Sequence, residues 1–305
     1  MNLKFAKMQG AGNDFVVVES DGLDLNWRDI ALAMCDRHYG VGADGLLLLT
    51  KSNAADFGMR ILNADGSEAK MCGNGIRCLV KYYVESSGLH NAKHMVSIDT
   101  PVGVRRAWFE RMGSAVSRVK VGMGRPEFLD EGCAGDPTNA GEFGIISEAE
   151  RSVSMGQELD LTLLSIGNCH AVYFTEIPLR DFPLSEIGPA LRHQRTFPRD
   201  VNFEVAHLIG SDHIEARVWE HGVGETLACG SGACAVAVAA RSKGYIGNRV
   251  EISLPGGTLD VEWDGVSDIF LNGPAETVFH GVWPLPENDR IPPLMSKPTK
   301  DEVLA

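Results

Sequence analysis

Short runs of apolar residues, separated by polar and glycine-rich turns, recur along the first 125 positions of the chain. Such runs are typical of strands, and the predicted strands cover residues 3–7, 15–19, 46–50, 59–63, 96–100, 103–109 and 116–122. Three stretches instead have helical spacing, at 27–38, about 75–87 and about 232–243. Asn26 fits an N-cap for the first, and Gly88 and Gly244 are typical of the ends of the other two.

One ordered set of motifs occurs twice along the chain. The offset between the copies is nearly constant: 155 positions from Asn13 to Asn168, 157 from Cys72 to Cys229, and 154 from Pro101 to Pro255. Glycine-rich turns can recur by chance, but three landmarks in one order at nearly one offset argue against chance. The period is far longer than that of a solenoid repeat, so the sequence predicts two similar domains.

Two further segments differ in composition from these copies. Residues 129–150 are rich in Gly, Asp and Glu, which predicts an inter-domain connection or a surface insertion. The second copy extends from about residue 152 to 281. Residues 284–305 combine five prolines with scattered charge, which predicts a flexible tail.

Composition narrows the function classes. A length of 305 residues allows two domains with real cores. The net charge of −13 argues against nucleic acid as a partner, because phosphate binding needs a basic surface. We expect no membrane-spanning segment and no signal peptide. The seven cysteines are an odd number without a disulfide-scaffold spacing, which predicts a cytoplasmic protein whose cysteines stay thiols.

Cys72 and Cys229 each precede a Gly-x-Gly turn that continues into a helical stretch. Backbone N–H groups are unpaired at such a junction and the helix dipole is positive, which favours thiolate. A buried structural role fits Cys35, Cys78 and Cys234 better. The cysteine spacings are wider than those of zinc ligand pairs, and no histidine pair completes a metal site. The sequence therefore favours two catalytic thiols that act on one substrate from opposite sides, with no metal.

The glycines of these turns indicate an anion-binding role. Gly73, Gly75, Gly230 and Gly232 permit close approach of the backbone, which exposes N–H groups to a group such as a carboxylate. A phosphate fits less well, because neither turn is followed by a P-loop lysine or matches a dinucleotide fingerprint.

Five motifs together resemble the diaminopimelate epimerase family, over about residues 3–282. They are GAGNDF at 10–15, RHYGVGADG at 37–45, NADGS at 63–67, MCGNGIRC at 71–78 and GETLACGSGACA at 224–235. The resemblance implies an α/β (α+β) fold of two similar, pseudo-symmetric domains. Each would be a curled, mainly antiparallel sheet around a central helix, with the active site in the cleft between them. The first domain would cover residues 1–125 plus a returning strand at about 269–283, and the second would cover 126–268.

The resemblance also implies a role for each matched residue. Cys72 and Cys229 would be the acid and base, and His170 would support them. The asparagines would hydrogen-bond the amino and carboxylate groups of the substrate, Glu220 would hold an ammonium group, and the helix-start residues would present backbone donors. The implied substrate-binding residues are Asn13, Asn63, Gly73, Asn74, Asn168, Asn202, Glu220, His221, Gly230 and Ser231. For any one asparagine taken singly, the sequence alone favours a turn or capping role.

Three positions depart from the family pattern. His221 stands where the family usually has an arginine, which would bind the distal carboxylate with a bidentate fork that histidine lacks. Gly45 stands where some members have a glutamine, and Cys169 replaces a proline. The first two departures concern recognition of the distal end of the substrate rather than the chemistry.

The implied reaction is cofactor-independent epimerisation of L,L- and meso-diaminopimelate, in lysine and peptidoglycan precursor biosynthesis. One thiolate would remove the α-proton and the other thiol would return a proton to the opposite face. The expected binding partner is this small amino acid. The sequence leaves open whether the chain forms a homodimer. One alternative is a related racemase of histidine or another amino acid; Asn74 argues against proline racemases, which have histidine in that position. A second is a redox-sensing protein, which would explain the thiols but not Asn13, Asn168 and Glu220.

Overall fold

The computed structural model describes residues 2–89, 93–128, 150–154, 157–191 and 201–285, except for the side chains of 150–154, 157 and 158. The predicted connection at 129–150 and the predicted tail at 284–305 lie almost wholly outside these residues, and both stay predictions. No described helix is long and apolar enough to cross a membrane.

The described part of the first half is mainly strands, with two helices. Its elements are β1 (Asn2–Gly10), β2 (Asn13–Glu19), α1 (Trp27–Cys35), β3 (Gly45–Thr50), β4 (Phe57–Asn63), β5 (Glu68–Ala69), α2 (Gly73–Ser86), β6 (Met95–Thr100), β7 (Gly103–Met112), β8 (Ala115–Gly124) and β9 (Glu127–Phe128).

The described part of the second half has a similar order of elements. They are β10 (Glu150–Ser154), β11 (Gln157–Ser165), β12 (Cys169–Phe174), a short 3₁₀ helix (Leu179–Asp181), α3 (Leu184–Leu191), β13 (Asn202–Leu208), β14 (His213–Glu220), β15 (Gly224–Thr226), α4 (Gly230–Ser242), β16 (Arg249–Leu254), β17 (Gly257–Glu262), β18 (Ile269–Pro274) and β19 (Glu276–Pro284).

Strand pairing repeats between the halves. β2 lies parallel to β3, as β12 lies parallel to β13, and each pair is followed by an antiparallel partner, β4 or β14. A parallel step to β6 or β16 and an antiparallel hairpin with β7 or β17 complete the repeat. The mainly antiparallel, pseudo-symmetric α+β fold predicted above is confirmed.

The last two strands return to the first half. β18 pairs with β17 on one side and with β8 on the other, and β19 pairs with β1. One continuous network of backbone hydrogen bonds therefore joins the halves. The predicted domain boundaries are not fixed by this pairing and stay predictions.

The two central helices, α2 and α4, are each enclosed mainly by the strands of their own half, and α2 also packs against the returning strands β18 and β19. Their apolar side chains, such as Ile76, Leu79 and Val236, are fully buried in one core that includes residues of both halves. α1 and α3 cover the opposite faces of the sheets, in two smaller clusters. Strand alternation produces this layering, because Val16 and Val18 of β2 face α1 while Phe15 and Val17 face the central core.

The helix ends differ slightly from those predicted. α2 and α4 begin at Gly73 and Gly230, each two residues before the predicted start, because the preceding cysteine is the N-cap. α1 ends at Cys35 rather than near residue 38, because Asp36 leaves helical geometry and its carboxylate accepts hydrogen bonds from the backbone N–H of His38 and Tyr39.

Candidate active site

Each candidate catalytic thiol is the N-cap of a central helix. Cys72 Sγ accepts a hydrogen bond from the backbone N–H of Gly75, and Cys229 Sγ accepts one from Gly232, at 3.4 Å in both cases. Sulfur thus takes the place that a Ser or Asp oxygen usually has at a helix start. The first N–H groups of each helix, those of Gly73 and Gly230 and their successors, have no partner within the helix and are available to an anion.

The starts of α2 and α4 lie against each other. The buried side chain of Asn74 bridges them, because its Nδ2 donates to Asn13 Oδ1 at 3.2 Å and to the carbonyl oxygen of Ala228 at 3.3 Å. A Cβ atom added to Gly73 or Gly230 would lie 2.9 or 3.0 Å from Cδ2 of Leu271, on the returning strand β18. Any larger residue at either helix start would therefore displace Leu271, and the repeat brings both helix starts to one place.

Polar side chains accompany each sulfur atom. Cys72 Sγ lies 3.8 Å from Asn13 Oδ1, and Cys229 Sγ lies 3.4 Å from Ser231 Oγ. Asn13 is held in turn by Asp44, whose Oδ2 accepts a hydrogen bond from Asn13 Nδ2 at 2.7 Å. Asn13, Asn74 and Ser231 are thus grouped with the two thiols, as the resemblance implies.

Cys229 is buried and Cys72 is half-buried, and burial opposes ionisation of both thiols. Burial raises the pKa of Cys72, although the Gly75 N–H and the Arg77 guanidinium act in the opposite direction. Burial, reinforced by Glu220 and Glu204, raises the pKa of Cys229 well above its ordinary value. The thiolate-favouring effect expected from the helix starts is present but is outweighed by burial, so ionisation must depend on further groups.

Glu220, at the end of β14, is a carboxylate whose charge influences both thiols. Its Oε1 accepts a hydrogen bond of 2.5 Å from Thr226 Oγ1. Burial raises the pKa of Glu220, with hydrogen bonds from Thr226 and Cys229 acting against that shift. A buried carboxylate that has no cationic partner ionises at a high cost in free energy. Pairing with an ammonium group offsets that cost, so Glu220 is suited to binding one.

His170 and Asn168 form a buried polar chain with Glu204. His170 Nδ1 lies 2.7 Å from Glu204 Oε1, and Nε2 lies 3.0 Å from Asn168 Oδ1. The imidazole and the Glu204 carboxylate are both fully buried. These contacts fix the orientation of the imidazole and place the side chain of Asn168, a predicted binding residue, against it.

Asn202 supports the backbone next to the predicted distal recognition residue. Its Oδ1 accepts a hydrogen bond of 2.9 Å from the backbone N–H of His221, and its Nδ2 donates to the carbonyl oxygen of Cys169 at 3.4 Å. The side chain of His221 is exposed. Asn202 therefore holds the segment that presents Glu220 and His221.

Asn63 is exposed at the end of β4, and its Nδ2 donates to Ser67 Oγ at 2.9 Å within the turn. No described hydrogen bond joins it to either thiol, so the structure shows only a turn role for it. Its strand partner is Gly45, the second departure from the family pattern. A Cβ atom at Gly45 would lie 2.9 Å from the carbonyl oxygen of Leu62, so this backbone is tightly packed.

An ion cluster behind Asn13 was not predicted. Asp14 accepts hydrogen bonds from Arg37 and Lys7, and Arg37 also contacts Asp44. Burial opposes ionisation of Asp14, but the hydrogen bonds from Arg37 and Lys7 outweigh it and lower its pKa to about 2. A signal was available for three of the four residues, because Asp14, Arg37 and Asp44 lie in the first two motifs, and their opposite charges pair next to Asn13.

Glu204 and Arg77 were also missed. Glu204 lies outside all five motifs, and Arg77 lies within the motif at 71–78 but was given no role there. Both are fully buried charged residues. The described residues contain no group of three or more His, Cys, Asp and Glu side chains arranged to hold a metal ion.

Two solved structures, an epimerase and a PhzF-family protein, have a similar fold. A hydroxyproline epimerase from Agrobacterium vitis superposes with a TM-score of 0.70 over 92% of both chains, at 15% identity. A PhzF-family protein from Bacillus anthracis gives 0.67 over 93% of this chain and 100% of that one, at 18% identity. These likenesses show the fold.

Sequence similarity is more specific. A family model described as diaminopimelate epimerase matches residues 5–129 and 162–278. Proteins named diaminopimelate epimerase are 42% identical in Desulfovibrio desulfuricans, covering 92% of this chain and 98% of that protein, and 40% identical in Methanococcus maripaludis strain C6, covering 92% and 99%. The chain belongs to the diaminopimelate epimerase family and is an isomerase.

Proposed function

We propose that this protein interconverts L,L- and meso-diaminopimelate by proton transfer at the α-carbon, with Cys72 and Cys229 as the two acid–base groups. The observation that carries the proposal is the pair of thiols at abutting helix starts, joined through Asn74. One thiolate removes the α-proton, and the other sulfur gives its proton to the opposite face. A single group would return the proton to the same face and restore the starting isomer.

The helix starts supply the stabilisation that this carbanion needs. The α-carboxylate of the substrate would accept hydrogen bonds from the first N–H groups of α2 and α4, at Gly73 with Asn74 and at Gly230 with Ser231. A positioned acid or base contributes ~10²–10⁴-fold, so the rest of the rate enhancement must come from these oriented dipoles in a dry cleft.

Glu220 connects substrate binding to thiol ionisation. Its carboxylate raises the pKa of both cysteines. When the substrate ammonium group pairs with Glu220, the negative charge beside the thiols is neutralised and ionisation becomes easier. Asn13, Asn168 and Asn202 would orient the amino and carboxylate groups, with His170 as support; Asn63 and His221 would contact the substrate in the closed cleft.

The chemistry also suggests where the protein works. Two thiols that must cycle between thiol and thiolate are inactivated if they oxidise, so we propose the reducing cytoplasm as its compartment.

A chirality assay tests the proposal. Purified protein is incubated with L,L- and with meso-diaminopimelate in D₂O, and isomer composition and α-deuterium are measured, with L-histidine and L-proline in parallel. We expect both diaminopimelate isomers to reach one mixture with deuterium at the inverted centre, and neither control to change. Turnover of L-histidine instead would favour a single-centre racemase, which His221 in place of arginine motivates. No turnover with any substrate would contradict the proposal.

A further inference from the structure

The two halves of the site match in position but differ in buried charge. Four pairs of residues are each 157 positions apart: Cys72 and Cys229, Gly75 and Gly232, Leu47 and Glu204, and Arg77 and Cys234. The members of each pair lie on matching elements, namely the cap and first turns of α2 or α4 and the strands β3 or β13. An apolar residue in one half therefore corresponds to a charged residue in the other, in two of the four pairs.

The paired residues also occupy equivalent places in the two halves of the structure. A Cβ atom built on Gly75 would lie 3.0 Å from Leu47 Cδ2, and one built on Gly232 would lie 2.8 Å from Glu204 Oε1. The Glu204 carboxylate thus occupies, against the first turn of α4, the place that the Leu47 side chain occupies against α2. Beside Cys229 this place holds a negative charge, whereas beside Cys72 it is apolar.

Glu204 is a costly residue for a purely structural role. Its side chain is fully buried, Oε1 contacts His170 Nδ1 at 2.7 Å, and Oε2 has no hydrogen-bond partner among the described residues. A buried carboxylate with an unsatisfied oxygen destabilises the fold. Its charge reinforces the effect of burial in raising the pKa of Cys229.

Arg77 places the opposite charge in the other half. Its side chain is fully buried within α2, Nε donates to the carbonyl oxygen of Pro274 at 3.1 Å, and neither Nη1 nor Nη2 has a hydrogen-bond partner among the described residues. Burial lowers the pKa of the guanidinium, but arginine starts so high that it stays a cation. It counteracts the effect of burial on the pKa of Cys72, whereas the matching residue in α4 is the neutral Cys234.

Other charged groups near the thiols do not reverse this difference. Glu220 raises the pKa of both cysteines, and it also accepts a hydrogen bond from Cys229. Arg118 lies near Arg77 and disfavours its charge, and His170 acts on Glu220 in the opposite sense to Glu204. The Ser231 hydroxyl lowers the pKa of Cys229 but does not outweigh burial and the two carboxylates. The charged groups that act on one thiol but not on the other are Arg77 and Glu204.

We infer that Arg77 and Glu204 are positioning residues that give the two thiols unequal roles, so that Cys72 ionises first and Cys229 stays protonated in the unliganded enzyme. The inference rests on the proposed two-thiol function and adds its direction. The α-proton passes to Cys72 sulfur while its electron pair stays on the α-carbon, and the Cys229 proton then passes to that carbon, leaving a Cys229 thiolate. Before another turnover in the same direction, a proton must return from Cys72 to Cys229 through solvent.

Site-resolved alkylation tests the inference without any substrate. Iodoacetamide reacts with thiolate, so the pH dependence of its rate at each cysteine, followed by peptide mass spectrometry, reports ionisation of that thiol. The full chain is used with one site thiol removed, Cys229→Ala to follow Cys72 and Cys72→Ala to follow Cys229. Midpoints of pH profiles, rather than rates, are compared, because the two sulfur atoms differ in accessibility.

We expect the Cys72 midpoint to lie at least about one pH unit below that of Cys229. Arg77→Met should raise the Cys72 midpoint by about one unit or more and leave Cys229 nearly unchanged, and Arg77→Lys should restore it. Glu204→Gln, which keeps the shape of the side chain, should lower the Cys229 midpoint alone.

Coincident midpoints in the wild-type pair, or equal shifts of both thiols in Arg77→Met and Glu204→Gln, would overturn the inference. If Arg77→Met does not fold, the wild-type midpoints, Arg77→Lys and Glu204→Gln still decide. The assay involves no diaminopimelate, so failure of the proposed substrate leaves its result intact, and failure of the charge asymmetry leaves the chirality assay intact.

Discussion

At each helix start one sulfur atom has both a structural and a chemical role. Cys72 and Cys229 accept the hydrogen bond that an N-cap normally accepts, and they are the candidate acid and base. The two roles can be separated, because serine is a good N-cap but a far weaker acid than cysteine.

Cys72→Ser and Cys229→Ser should each lose epimerisation by at least ~10²–10⁴-fold, with little change in the free energy of unfolding. Cys72→Ala and Cys229→Ala should lose activity equally and, in addition, about 0.5–2 kcal/mol of stability through the lost cap. Turnover and denaturant unfolding of the four variants are the measurements. Near wild-type inversion by any one of them contradicts the two-base assignment.

His221 offers a test of substrate recognition that leaves the thiols untouched. Its side chain is exposed and its backbone is held by Asn202, so His221→Arg should fold normally. The arginine fork should strengthen binding of the distal carboxylate, where a charged hydrogen bond is worth about 1.5–3 kcal/mol. We expect a lower KM for diaminopimelate and little change in kcat, because the arginine fork binds the substrate and takes no part in proton transfer.

His221→Gln is the matched control, which should raise KM because it removes any positive charge. If His221→Arg leaves diaminopimelate turnover unchanged or worse, while the wild type turns over L-histidine or another one-centre amino acid faster, the substrate assignment is wrong.

At the scale of elements, the site depends on how closely two helices and one strand meet. A Cβ atom at either helix start would lie within about 3 Å of the Leu271 side chain of β18, so it would fit only if a neighbour shifted. Because the thiols are the caps of these helices, a small shift of one helix moves one thiol relative to the substrate.

Gly230→Ala tests this packing. The added methyl would lie 3.0 Å from Leu271 Cδ2 and 3.2 Å from Asn74 Oδ1, so α4 or its neighbours must shift. A displacement of about 1 Å can cost ~10²-fold in rate. We therefore expect a large loss of turnover rate with only a small change in the free energy of unfolding. Gly247→Ala is the control, since its Cβ atom would meet nothing within 4 Å. Full activity in Gly230→Ala would show that the helix starts need not abut.

The ion cluster between β1, β2 and the loop before β3 predicts a pH dependence of stability. The pKa of Asp14 is lowered from 3.8 to about 2 in the folded state. A lowered carboxyl pKa contributes stability that is present above about pH 4 and is lost as the pH falls through about 2. Asp14→Asn should therefore destabilise the protein by about 2 kcal/mol near neutral pH, and urea unfolding should show this difference shrinking below pH 4. A difference that stays constant down to pH 2 would mean that the charge is not its source.

At the scale of the whole molecule, the repeat made much of the fold predictable. The strands predicted at 46–50 and 59–63 differ from the observed Gly45–Thr50 and Phe57–Asn63 by two residues at most, because apolar runs bounded by turns leave little choice. The helix starts were misplaced because a cysteine cap has no common sequence signature.

Glu204 and Arg77 could not be assigned from sequence, since each sits inside an apolar stretch that reads as a strand or a helix. Glu204 comes close to Cys229 only when β13 packs against the first turn of α4. Arg77 lies on the same helix as Cys72, but its burial depends on the returning strand β18, whose Pro274 carbonyl oxygen accepts its hydrogen bond. Asn63 shows the converse, because its motif suggests substrate binding while its described contact is a turn hydrogen bond.

The position of both thiols at abutting helix starts also predicts redox sensitivity. When the cleft is empty, a mild oxidant that accepts two electrons should join Cys72 to Cys229, with loss of two protons and of activity. A thiol reductant should restore both. Mass spectrometry of the oxidised protein should find this one new disulfide, with Cys78 and Cys234 still free because they are fully buried. Inactivation with both site cysteines unmodified would contradict this expectation.

The site can be completed only after the C-terminal strands β18 and β19 have been synthesised. β8 can complete its pairing only after β18 has been synthesised, and Ile269 follows its partner Gly124 by 145 positions. The separation along the chain between β1 and its partner β19 is still larger. Leu271, which fills the space between the two helix starts, emerges from the ribosome equally late. Pairings between strands so distant along the chain form slowly. Until β18 and β19 have been synthesised, β8 and β1 each lack one pairing partner, and such unpaired strand edges favour aggregation.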